Sequence, residues 1–422
     1  MPSTFRAFLV SAILALSTTA QLAVAESSCS LVDEAVRISA EIRGLKLKRK
    51  VPCKLRTKDE VRAYLLQSLN EKIPQERLAS EAALFRFIGV IPEQFDYASG
   101  LVELYTDQVG GFYEPKEEYY AMAAWIPEFM QLGVAVHELT HALQDQHYKL
   151  ETFLDPLTAS NDGQLARAAL IEGDATAVMV DHTRATVGQG PIQDEATVSG
   201  LMAQNILGIM LSPGLQKAPP ALQSMLVFPY VSGMNFAHAL LRKDGYKSID
   251  AAFRKPPQTS EQILHPEKYL NGEQDWAQFD APETLSPNSG DPLPPSLAAK
   301  LELPPKLEAS DVLGEFTISS ALSNFITPMK ASRAAAGWGG DRAGVYALQG
   351  NAIGKRAARW ETRWDSEAEA AEFFSALNEA YSSRFAVKKE ISQNEVSFTG
   401  KSAFEAATKR SGSTVVMVIA DL

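Results

Sequence analysis

Apolar residues at Phe129, Leu132, Val136, Leu139 and Leu143 recur at intervals of three and four, one stripe of an amphipathic helix. Leu165, Ala168, Glu172, Ala175 and Met179 repeat the spacing, so a second helix carries a carboxylate in the middle of a small apolar stripe. Upstream, the pattern predicts helices over Leu31 to Ile42, from a Thr57 cap through Leu65 and Leu66, over Glu76 to Ile88 and over Pro92 to Val109. Leu45 to Lys48 alternates like a short exposed strand. Gly110 to Met122 reads as a β-hairpin turning at Glu114-Pro115. Phe228 to Gly233 leads into a helix running through Leu241, and Thr259 and Ser260 cap a short one.

Beyond Asp280 the pattern changes. Proline, serine, asparagine and glycine crowd the stretch to Lys306, the composition of a linker or an extended surface segment. A helix is expected over Asp311 to Ala335, then a tight turn at Gly337 to Arg342. Strands follow at Val345 to Leu348 and Ala358 to Trp364, with Trp360, Thr362 and Trp364 on one face. Ser366 and Glu369 open a helix to Tyr381. Further strands at Phe385–Lys389, Glu395–Thr399 and Thr414–Ala420 complete a small α+β unit with a mainly antiparallel sheet.

Within the first amphipathic stripe lies His137-Glu138-Leu139-Thr140-His141. Histidines four apart on a helix project from the same side one turn apart and can hold one metal ion; Glu138, about 100° round from His137, is near enough to take a proton from an attacking water. The stripe centres opposite the two histidines, while His147 falls on the apolar side and reads as structural. Two histidines leave a catalytic metal one protein ligand short. Glu172 supplies it: a carboxylate in an apolar stripe needs a cationic partner, Arg or Lys, or a metal. Gly173, unfavourable by about 1 kcal/mol inside a helix, implies a close helix–helix approach that brings Glu172 to the histidines.

H-E-L-T-H followed by E-G-D-A resembles the gluzincin clan of zinc metallopeptidases, over about fifty residues from Val134 to Met179. The resemblance implies a mainly helical zincin-like metallopeptidase domain with a short β-hairpin as cleft rim; with the small α+β domain that follows it, the expected fold class is α+β. It implies one zinc ion on His137, His141 and Glu172, Glu138 as general base and a peptide or protein as substrate. It also implies an oxyanion donor C-terminal to Glu172, for which Tyr230 and His265 match in residue type and order. Many gluzincins carry an aspartate four residues after the third ligand, bonded to a zinc-bound histidine. Here that position is Thr176, which leaves Asp145 and Asp181 as candidates for the supporting role.

The chain of 422 residues divides on this reading into a signal peptide (1–25), a metallopeptidase domain (26–280), a Pro-rich linker (281–309) and the C-terminal domain (310–422). Arg6, the apolar run Ala7 to Leu16 and Ala23-Val24-Ala25 have the form of a secretory signal cleaved before Glu26, which places the protein in the periplasm or outside the cell. No later run is long enough for a membrane span; Leu201 to Leu211 contains Gln204 and Asn205 and reads as a buried helix. In an exported chain Cys29 and Cys53, the only cysteines, are expected to form a disulfide. A net charge of −11 argues against nucleic acid or an anionic membrane surface as partner. Two other functions fit the same residues: a zinc-binding but non-proteolytic envelope binding or assembly module, which would have no need of Glu138, and a zinc hydrolase of a non-peptide amide.

Overall fold

The computed structural model describes residues 29–108, 110–154, 159–201, 213–286, 289–301, 303–400 and 403–421. The signal-peptide stretch 1–25 and nearly all of the apolar run 201–211 lie outside the described residues. The chain is α+β. No helix among the described residues is long and apolar enough to cross a membrane.

Helices α1 (Val32–Arg43), α2 (Lys58–Lys72), α3 (Gln75–Ile88) and α4 (Tyr97–Gln108) come first. Thr57 caps α2 through the Glu60 N–H in a reciprocal capping box. Leu45 to Lys48 is not a strand. The strand that forms is β1 (Cys53–Arg56), which pairs in parallel with β3 (Tyr119–Ala123), and β3 pairs antiparallel with β2 (Gly111–Glu114). Cys29 and Cys53 are joined by a disulfide at the head of β1.

The centre of this region is made by α5 (Glu128–Tyr148), α6 (Asn161–Thr186) and α7 (Pro220–Asp244). From Ala135 to Gln146, α5 is buried on every side except at Glu138, whereas Phe129, at the start of the expected stripe, is 86 % exposed. The stripe therefore holds only for its second half; there, α1, α6 and the small sheet cover the helix from several directions. The helix expected after Gly233 begins a full thirteen residues earlier, because Pro229 is accommodated inside α7.

The C-terminal sheet has the order β4-β5-β6-β10-β9-β8-β7 and is antiparallel at every pairing. Its strands are β4 (Lys306–Asp311), β5 (Trp338–Ala347), β6 (Arg356–Trp364), β7 (Val387–Ser392), β8 (Glu395–Thr399), β9 (Phe404–Ser411) and β10 (Thr414–Asp421). Helices α8 (Gly314–Ser323), α9 (Pro328–Ala335) and α10 (Glu367–Arg384) accompany it; α10 lays Phe373 against Trp360 and Trp364. The single helix expected over Asp311 to Ala335 is instead the end of β4 and two helices, with a break before Pro328, whose ring cannot continue a helix begun upstream. The turn expected at Gly337 to Arg342 is the start of β5. Glycines 339 and 340 are there because Asp365 and the Ala277 backbone press against that strand.

The segment expected to be a linker is packed. Leu285 and Leu297 are buried against Tyr346, Val418 and Ala420, and the Tyr346 hydroxyl donates to the Pro282 carbonyl. The sheet also starts inside that segment, with β4. One apolar cluster runs from Phe85, Phe87 and Ile88 of α3 through Trp338 and Trp360 to Phe398, so the C-terminal sheet and the N-terminal helices share a core. The boundaries expected at 280 and 310 thus do not mark a flexible joint.

Candidate metal centre

Helix geometry brings two of the donors together, and the packing of α6 against α5 brings the third. His137 and His141 sit one turn apart on α5, and Glu172 lies in the middle of α6, whose first turn is capped by Ser160 accepting from Gly163. His137 Nε2 is 3.2 Å from His141 Nε2; Glu172 Oε2 is 3.1 Å from the first and 3.5 Å from the second. Tetrahedral donors about 2.0–2.2 Å from a common ion stand roughly 3.3–3.6 Å from one another, so the three atoms lie close to the corners of such a tetrahedron. His137, His141 and Glu172 form a group that could hold a metal ion. No lysine or arginine pairs with Glu172 among the described residues, so the alternative of a basic partner is not realised.

The electrostatics agree with a cation site. Burial alone would raise the Glu172 carboxyl, but the imidazoles of His141 and His137 hold it below the ordinary carboxylate range. Burial alone would lower His141, yet the Glu172 carboxylate outweighs it and the imidazolium is stabilised. Two imidazole nitrogens and a carboxylate oxygen therefore share a pocket that favours positive charge, as protons or as a metal.

Glu138 stands beside the group without joining it. Its Oε2 accepts the Tyr113 N–H of β2 at 3.0 Å, so the edge strand holds the carboxylate in place. Burial pushes its carboxyl up, while His137 and His141 pull it down. Tyr230 comes from α7, its ring 6.2 Å from that of His137 and tilted by 29°. Glu172 is the first cause that holds the Tyr230 phenol well above its ordinary value, burial the second and Glu138 the third. Tyr230 is thus brought to the centre. His265 is not: both oxygens of Glu315 bond its Nε2, at 3.1 and 3.0 Å, and the charges acting on it are those of Glu315, Glu267 and Glu261.

The close approach expected at Gly173 is present, but its partner differs. A methyl there would lie 2.1 Å from the Gly233 carbonyl oxygen, and one at Gly233 would lie 2.2 Å from the Ala169 oxygen. The contact is thus between α6 and α7. It sets Glu172 against Tyr230 rather than drawing α6 to the histidine helix.

Neither aspartate expected to support the histidines does so. Asp145 accepts from the Tyr113 hydroxyl and the Leu150 N–H, and Asp181 accepts from the Ile192 N–H. His141 Nδ1 lies 2.8 Å from Gln144 Oε1, and Gln144 reaches Asp174, which Arg43 neutralises. The sequence did carry a signal for these: Gln144 is three residues from His141 and Asp174 two from Glu172. His137 Nδ1 and Thr176 Oγ1 are buried without a hydrogen-bond partner among the described residues. His147 bonds the Lys46 carbonyl, a structural role.

Two other features lie away from this centre. Glu261, Asp275 and Asp365 also converge, but Lys268 bonds both Glu261 and Asp275 and already supplies the positive charge. A groove of about 1760 Å3 between the helices and the sheet is lined by Arg77, Asp162, Trp276 and Arg342, and contains no member of the histidine group.

Fold and site together define an α+β protein with a metal-binding candidate built on an H-E-x-x-H helix. Residues 303–421 match a family described as a domain of unknown function (DUF8575), a stretch that contains the whole C-terminal sheet and none of His137, Glu138, His141 or Glu172. Comparison with curated proteins and with solved structures finds no match.

Proposed function

We propose that the protein is an exported zinc-dependent peptidase that cleaves peptide or protein substrates, with one zinc ion on His137, His141 and Glu172. The observation that carries this reading is the geometry of four side chains. Three donor atoms converge near tetrahedral spacing, and a fourth group, Glu138, is half-buried beside them with its carboxylate bonded to the Tyr113 N–H. A site built only to bind zinc has no use for that second carboxylate. Zinc there would supply Lewis acidity and bring the pKa of a water toward about 7.

Glu138 is the general base. It takes the proton of the attacking water and passes it to the leaving amine. The Tyr113 N–H fixes its carboxylate beside the histidines. Tyr230 donates its hydroxyl to the developing oxyanion; a phenol that resists ionisation beside Glu172 and Glu138 remains a donor. The disulfide fits an oxidising compartment, in keeping with the signal-like sequence of residues 1–25.

Metal analysis of the purified protein together with a peptide library tests the proposal. Close to one zinc per chain is expected, with cleavage abolished by a chelator and restored by zinc. Zinc without cleavage of any peptide would favour the binding-module reading, and cleavage confined to non-peptide amides the other hydrolase.

A further inference from the structure

His141 can offer Nε2 to a metal only if its other nitrogen carries the proton, and the structure contains a chain of contacts that decides which nitrogen that is. Gln144 is wholly buried, and one end of its amide faces two groups that only accept: the Ile171 carbonyl at 3.1 Å and Asp174 Oδ2 at 2.9 Å. That end must be the NH2, because the oxygen placed there would meet two other oxygens. The amide oxygen therefore faces His141 Nδ1 at 2.8 Å, and there it can only accept. In the neutral ring that a metal requires, Nδ1 must be the protonated nitrogen, and the Nε2 lone pair is then the one that faces His137 and Glu172.

The chain is anchored at its far end. Asp174 is wholly buried and faces the Arg43 guanidinium, whose Nε is 2.8 Å from Oδ1. Arg43 also bonds Asp250 at 2.7 Å, and Asp250 accepts from the Tyr148 hydroxyl. A carboxylate fixed by a buried guanidinium cannot turn a donor toward Gln144, so the direction of every hydrogen bond back to His141 is set. His137 has no such arrangement, since its Nδ1 is buried without a partner among the described residues.

We propose that Gln144 is a positioning residue for metal binding: oriented by Asp174 and Arg43, it fixes the tautomer and ring angle of His141 so that Nε2 is ready to ligate. This rests on the reading that His137, His141 and Glu172 hold zinc. It replaces the aspartate absent at position 176, and it acts on the second histidine of the helix.

The test is zinc affinity of the full-length protein, measured by competition with a chromophoric chelator, for wild type, Gln144→Met and His141→Ala. Gln144→Met keeps the length of the side chain and removes its amide; an affinity roughly 10–100-fold weaker is expected. NMR of the zinc-loaded protein labelled with 15N in histidine supplies a readout that general loosening would not mimic. The His141 Nδ1–H should be a slowly exchanging signal in wild type and be lost to exchange in Gln144→Met, with the His137 signals unchanged. If Gln144→Met does not fold, Gln144→Ala carries the same expectation. A Gln144 variant that binds zinc as tightly as wild type, or keeps the protected Nδ1–H, overturns the proposal. Equal zinc binding by wild type and His141→Ala would instead overturn the metal site itself, so the two failures are distinguishable.

Discussion

Gly173→Ala probes the contact that sets Glu172 against Tyr230. The added methyl would lie 2.1 Å from the Gly233 carbonyl oxygen and 2.3 Å from its carbon, whereas ordinary contact begins at 3.4 Å. Relief needs 3.4 − 2.1 = 1.3 Å of separation at that point, and the obstacle is backbone in the middle of a 25-residue helix, so no side chain can turn aside. Overpacking of this kind costs typically 1–3 kcal/mol, and a rigid backbone obstacle puts the site near the upper end. Alanine regains about 1 kcal/mol of helix propensity over glycine, which leaves a net loss of about 2 kcal/mol. Urea denaturation measures it directly. Gly133→Ala on α5 is the control: nothing lies within 4 Å of its added methyl, so it should be neutral or more stable by up to about 1 kcal/mol. Because Glu172 precedes Gly173, the variant should also bind zinc more weakly. Equal or greater stability in Gly173→Ala would refute the backbone contact and the placement of Glu172 that depends on it.

Two further outcomes are expected. His265 has its pKa raised first by the hydrogen bond that it donates to Glu315, so its pairing stabilises the fold below the ordinary histidine value near 6.5 and that stability is lost as pH rises through the higher folded value. The gap in Tm between wild type and His265→Gln should therefore be widest near pH 6 and close toward pH 9; a gap that does not vary with pH contradicts the pairing. Since Leu285 and Leu297 are buried, limited proteolysis of the native protein should leave the stretch from Leu293 to Leu301 intact, and rapid release of a folded C-terminal fragment by a cut there would show that the segment is a linker after all.

The metal group was legible because it depends on local rules. A helix places residues i and i+4 together whatever surrounds it, and a glutamate in an apolar stripe calls for a partner. Gly173 announced a close approach, but only the tertiary fold says which helix arrives, and Gly233 is sixty residues away. Tyr230 and His265 were equal candidates in sequence order. Burial of Glu315 on α8 took His265 away, while the crossing at Gly233, one turn after Tyr230, kept that ring at the centre. In the Pro-rich segment the prolines report only the absence of N–H donors; the leucines between them, which meet Tyr346 and Val418, decide where it is anchored. The glycines at 339 and 340 suggested a turn, when the reason for them is the close passage of Ala277 and Asp365 over a strand.

Peptide cleavage at the group on α5 and α6, as proposed, depends on Glu138 as the base. Glu138→Gln keeps the size of the side chain and an oxygen to accept the Tyr113 N–H, and it removes only the ability to take a proton. The decisive measurement is the rate of peptide cleavage by wild type and Glu138→Gln at matched zinc content and matched thermal stability. General base catalysis alone is worth about 10²–10⁴-fold, so cleavage should fall at least about a hundredfold while zinc and fold are retained. Cleavage by Glu138→Gln at the wild-type rate, with the same zinc bound, would contradict the mechanism.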